Sequence, residues 1–158
     1  MMKLLGLPTV LKNLNKEIKK MEGTTVKGLI RAGIMVRTRM GTSAPLVPVD
    51  TRNLDHSFFL VTSEGKTEKG ASPKFKGEDA DNMMANHASA ISTHLHQAQK
   101  AKRPTVVLGF SASYAWFVHE NIGAHFRKPN SGAKFFEAAL HYEQGNMLKV
   151  IAQEAKIK

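Results

Sequence analysis

From Leu7 to Met21 the apolar residues fall at Leu7, Leu11, Leu14, Ile18 and Met21, at successive spacings of 4, 3, 4 and 3. That rhythm draws one stripe along a helix and leaves Lys12, Lys16, Lys19 and Lys20 largely on the other side. A second helical pattern follows through Val26, Leu29, Ile30, Gly33, Ile34, Arg37 and Met40. Gly23 and Thr24 interrupt the two, with Thr24 or Thr25 as a cap. Residues 7–41 therefore read as two helices, or as one longer helix kinked at Gly23. Gly41 reads as the closing cap, and Pro45 and Pro48 bar continuation. The lysine side reads as a solvated face, because a nucleic-acid grip wants aromatic or arginine platforms between the lysines and none are there.

Beyond the corner the pattern changes. Asn53–Thr62 carries β-branched and aromatic residues after a turn signal and reads as a strand. Thr105–Phe110 and Tyr114–His119 read as two more, covered on both faces and joined as an antiparallel pair through Ser111–Ser113. This predicts a sheet over residues 53–62 and 105–120. Between its parts lies the insertion Ser63–Arg103, too long for an ordinary connection. Its first half is polar and rich in breakers, hence a loop; Asp79–Lys102 is weakly periodic and predicts a thin helix. Phe126–Gly132 has loop chemistry. A last helix over residues 133–155 has its stripe at Phe136, Leu140, Met147 and Ile151, weakened by Gly145. The expectation is an α+β domain over residues 1–158: a small antiparallel sheet between an N-terminal helical segment and a C-terminal helix, with a long insertion between strands.

Composition narrows the chemistry. A chain of 158 residues can bury a real core, but 42% hydrophobic content is low, so some stretches should pack poorly when the chain is alone. The absence of cysteine removes disulfides, thiolate metal sites and thiol nucleophiles. The apolar runs fall short of the roughly 20 residues of a membrane span. The opening residues break at Pro8, before the apolar core of a secretory signal is reached. A net charge of +10 favours anionic partners, such as nucleic acid or an acidic protein ring.

Candidate catalytic and metal-binding groups do not assemble on paper. Gly65-Lys66-Thr67 resembles the end of a phosphate-binding loop, but Leu60 stands where the pattern needs glycine. His87 and His94 share a helix face while His96 points elsewhere, so three ligands do not converge. An acid–base set of His119, Glu120 and Asp50 with Ser57 or Ser113 lacks a nucleophile elbow and an oxyanion loop. The expectation is no enzyme, no metal and no cofactor. Pro48, Asp50, Thr51 and Leu54 read instead as an architectural corner, in which Asp50 and Thr51 bond nearby backbone N–H groups and Leu54 opens the strand.

Three segments together resemble one family. Ala44–Leu54, with Pro48, Asp50, Thr51 and Leu54, is similar to the "aliphatic–Pro–Val–Asp–Thr–Gly–x–Leu" corner of tailed-phage head–tail joining proteins, also called tail-completion or neck proteins. Gly109–Glu120, with Tyr114, Ala115, Val118 and Glu120, resembles that family's "Tyr–Ala–x–x–Val–(His)–Glu" strand. Gly132–Leu140, with Phe135, Phe136 and Leu140, resembles the start of its terminal helix. Arg52 departs from the pattern where the family tends to have glycine, and the histidine-rich insertion has no counterpart. The resemblance implies a structural virion subunit in the neck or tail region, assembled in the host cytoplasm. It implies a homo-oligomeric ring, a hexamer or dodecamer, between a portal or connector and a tail-tube or tail-terminator protein. Transient contact with passing DNA would suit the basic balance, and a basic nucleic-acid-binding module is the alternative.

Overall fold

The computed structural model describes residues 7–65 and 73–156 of the chain. The fold is α+β: five helices and one two-stranded antiparallel sheet among the described residues. Residues 66–72 of the expected loop, with Lys66 and Thr67, lie outside them.

Of the two readings of residues 7–41, the single longer helix holds and the capped pair does not. One helix, α1, runs over Leu7–Thr42. Thr24 and Thr25 do not cap a new start, because their hydroxyls turn back to the carbonyls of Lys20 and Met21 at 2.8–3.2 Å. Gly41 stays inside the helix rather than closing it. The buried seam of α1 is Val26, Gly28, Ala32, Gly33, Val36 and Met40, while Ile34 is exposed. Small residues at 28 and 32 let the C-terminal helix, α5 (Phe135–Ala155), approach closely and antiparallel. A side chain at Gly28 would meet the Ile151 Cα at 2.9 Å. Arg31 pairs with Glu154 and Arg39 with Glu143, which ties the two ends of the helix pair.

The expected strand at 53–62 is split. Asn53–His56 is a single helical turn, α2, and only Phe58–Thr62 is strand, β1. Leu54 is buried in that turn and does not open the strand. β1 pairs antiparallel with β2 (Val106–Phe110), from Phe58 opposite Phe110 to Thr62 opposite Val106. The partner of β2 is therefore the strand across the insertion, not Tyr114–His119. That segment is helical: α4 spans Ala115–Glu120. Six residues are too few for periodicity to separate strand from helix. Exposure settles it here, with Ala115 and Val118 packed inward three residues apart and Trp116 and Phe117 facing out.

The insertion supplies the third layer. Ala80–Lys100 forms α3, as its weak periodicity predicts, and it packs on β1 and β2. Leu60 presses on Gly33 of α1, and its neighbour Phe59 stacks on His94 of α3 with ring centroids 5.1 Å apart. Consecutive strand residues point to opposite faces, so the sheet lies between the α1–α5 pair and α3. The main core cluster joins Val36, Met40, Val47, Leu54, Ala112, Phe135 and Ala139. Gly145 leaves α5 unbroken.

His87 and His94 do share a face of α3, but both are occupied in packing. His87 is buried, shares a 2.8 Å hydrogen bond with the Ser111 hydroxyl and meets the Phe75 ring edge-on. At a rise of 1.5 Å per residue the two histidines stand about 10 Å apart along the axis, too far to share an ion. Among the described residues no group of three His, Asp or Glu side chains is placed to hold a metal. Burial pushes the His87 pKa below its ordinary 6.5, against the raising effect of a backbone hydrogen bond at Ser57. Below about pH 6.5 the unfolded chain binds a proton that the folded chain resists. Stability contributed by neutral His87 is thus full above that pH and lost as the pH falls through the folded value. Urea midpoints at about pH 7.5 and 5.5 should separate more for the native chain than for His87→Gln; equal separations would remove His87 as the cause.

Candidate functional site

The exit of α1 is stitched to a distant loop before it reaches β1. Leu46 N–H donates to the Asn130 carbonyl at 2.8 Å, and Gly132 N–H donates to the Leu46 carbonyl at 3.3 Å. This short parallel bridge sets the corner Pro48–Leu54 beside α4 and the loop that follows it. Between them lies an open cleft of about 280 Å³. Of the eleven residues named from the sequence, six line it: Pro48, Asp50, Thr51, Leu54, Tyr114 and Val118. They come from two segments some sixty positions apart. His125, Phe126 and Arg127 close the other wall, and nothing in the sequence motif marked them.

The corner keeps the expected backbone bond at Thr51 but not at Asp50. Asp50 accepts from Arg127 at 3.1 Å, and both side chains are largely exposed, so the pair adds little stability. Thr51 Oγ1 accepts a long bond from Asn53 N–H at 3.4 Å. The stronger fastening is Asn53 itself. Its buried amide donates to the Lys76 carbonyl at 2.8 Å and accepts from the Lys76 N–H at 2.9 Å. Asn53 thereby holds the segment leading into α3 as a backbone partner would. Arg52 stands in the left-handed region at φ 70°, the conformation that glycine adopts freely. An L side chain there costs roughly 1 kcal/mol. Arg52→Gly is therefore expected to raise stability by about 1 kcal/mol in urea unfolding. A loss instead would mean that the arginine side chain holds the corner.

The remaining motif residues build the support of the cleft. Phe135 is buried in the core, with Ala115, Phe136 and Leu140 packed around the same cluster. Glu120 lies at the end of α4 and binds Lys134 at 2.6 Å and His119 Nδ1 at 2.7 Å. Those two partners, Lys134 first, hold the Glu120 carboxyl below its ordinary range, and Glu120 with Glu137 holds Lys134 above its own. His119 Nε2 faces the Glu137 N–H at 3.5 Å, and the His119 carbonyl accepts from Lys134 N–H at 2.7 Å. The knot fixes the first turn of α5 to the last turn of α4. The sequence marked the adjacent His119-Glu120 and, in the motif that opens the last helix, Lys134, but not their pairing.

His119 and Glu120 meet each other, but His119, Glu120, Asp50 and Ser57 of the acid–base set each have a structural partner. His119 and Glu120 serve the α4–α5 knot, Asp50 faces Arg127, and Ser57 is fully buried with its hydroxyl donating to the Leu54 carbonyl at 2.7 Å. Tyr114 is pushed above its ordinary pKa by burial and then by the Asp50 charge, so it keeps its proton at neutral pH. A second cleft behind the corner is lined by Arg37, Arg52 and Lys128 with Asp55, and Arg37 is already paired with Asp55. No helix among the described residues is long and apolar enough to cross a membrane. Comparison with known proteins finds no family model, no curated protein and no solved structure that matches the chain.

Proposed function

We propose that the chain is a structural ring subunit at the head–tail joint of a tailed phage, without catalytic activity or cofactor. The observation that carries this reading is convergence. Of the three segments that resemble the joining family, Ala44–Leu54 lies across the insertion from the other two, yet it meets both around one corner. Arg52 adds support, because it occupies the left-handed turn where the family's glycine belongs. The cleft is small for a ligand pocket, and its Asp50 and Arg127 meet each other. Such a site suits assembly, in which shape at a junction is the product.

The ring would sit between a portal or connector and a tail-tube or tail-terminator protein. Light scattering on the purified chain, alone and mixed with particles lacking it, tests this. Uptake at the neck in a fixed copy number is the expected result. A chain that ignores such particles but binds DNA with affinity falling steeply with salt would make it a nucleic-acid-binding module instead.

A further inference from the structure

Among the described residues the stretch Leu11–Glu22 of α1 has no cover. Every residue from Leu11 to Glu22 is exposed, because α5 ends at Ala155, beside Gly28 and Arg31 of α1. The stripe therefore stands in water: Leu11, Leu14, Ile18 and Met21 are 44–56% exposed. At 3.6 residues per turn, Glu22 and Glu17 flank its centre at about 60° and 80°, on opposite sides, and Glu17 stays exposed although it reaches Lys20 at 3.8 Å. Lys12, Lys16, Lys19 and Lys20 lie about 120–180° away, on the back. The face offered to a partner is thus apolar with acidic margins, in a chain whose net charge is +10.

Those margins select among partners. Phosphate backbones and anionic lipid surfaces meet the carboxylates first. Two copies of the stripe pair poorly as well. Side by side in parallel, Glu17 meets Glu22 of the second copy; antiparallel, with Leu14 on Ile18, Glu17 meets Glu17. A matching surface must be apolar with a basic border. The α4 end of the molecule offers exposed apolar side chains with cations in the loop that follows. Trp116, Phe117 and Ile122 are 63–78% exposed there, and Arg127, itself exposed although it meets Asp50, and Lys128 follow in the adjoining loop.

We propose that the projecting half of α1 docks on the Trp116–Phe117–Ile122 knob of a second copy. This rests on the ring reading above and names the contact that would build the ring. Each copy carries both surfaces once, so the contact is head-to-tail and repeats until it closes. Seven large exposed apolar side chains, with charges at their margins, form the apolar centre and polar rim that a standard interface of about 1,600 Å² needs. A tryptophan at the middle of one side fits the anchor role.

Complementation between two variants is the test. Ile18→Glu spoils the stripe and Trp116→Glu the knob; both positions are exposed, and circular dichroism checks that each variant folds. Sedimentation equilibrium of the native chain should show mass rising with concentration. Each variant alone should self-associate at least about thirtyfold more weakly, the fold-change of a hot-spot loss of about 2 kcal/mol. An equimolar mixture should form a heterodimer, since each variant keeps one sound surface. A native chain that stays monomeric, a Trp116→Glu chain that assembles like the native one, or a mixture that stays monomeric would each overturn the contact. Particles lacking the protein separate this from the ring reading. Uptake in several copies without self-association sinks the contact alone, and self-association without uptake sinks the phage reading alone.

Discussion

Replacing Phe135 by alanine is expected to cost about 4 kcal/mol of stability, most of what a chain of this size commonly has to spare. Its ring is 1% exposed and meets Phe110 and His119 edge-on, with centroids 5.6 and 5.1 Å away. Truncation leaves a cavity at the point where α5, β2 and α4 meet, and it removes the seat against which His119 is held. Phe136 packs against the same cluster but is only partly buried. Phe136→Ala should therefore cost about half as much, because less area leaves water and the gap fills more easily. Urea midpoints of the two variants measure the difference. Equal costs would mean that the buried seam of α5 runs along the other residue.

The second large effect is expected at Gly28. A Cβ there meets Ile151 Cα at 2.9 Å and the Ile151 carbonyl oxygen and Glu154 Cβ at 3.2 Å. The obstacle is mostly backbone, so a rotamer change cannot clear it. Gly28→Leu should separate α1 from α5 and destabilise the chain by about 3 kcal/mol, although leucine is the better helix former by close to 1 kcal/mol. Gly41→Ala in the same helix has nothing within 4 Å of the new atom. It should stabilise by about 0.5–1 kcal/mol. Thermal melts of the pair should thus move in opposite directions, and a shared sign would refute the packing of α1 on α5.

These glycines explain why part of the fold was hidden in the sequence. The apolar spacing of α1 is plain, yet its true seam runs through Gly28 and Ala32, which a search for large apolar residues passes over. In α5 the large residues Phe136, Leu140, Met147 and Ile151 mark the partly covered flank, while Phe135, Ala139 and Ala155 are the buried line. The helix in the insertion was legible, because weak periodicity survived over its whole length. Tyr114–His119 was not, because its aromatic residues point outward to solvent and mimic a covered strand. The corner was legible as a place but not as a mechanism. Pro48, Asp50 and Thr51 announced a turn, whereas the fastening by Asn53 to Lys76 joins residues 23 apart. Local patterns carry no trace of such a bond.

The closing pair of helices sets a condition on synthesis. Arg31 and its partner Glu154 are 123 residues apart, and the buried face of α1 finds its match only when α5 has left the ribosome. Until then α1 lacks the larger of its partners, since the small sheet touches it far less than α5 does. Contacts this distant are formed late and expose sticky surface meanwhile. A nascent chain interrupted before Phe135 lacks its main partner for α1, so the cell's chaperones and proteases meet every incomplete copy as an unfinished one. Only a chain translated through α5 can cover that face in full.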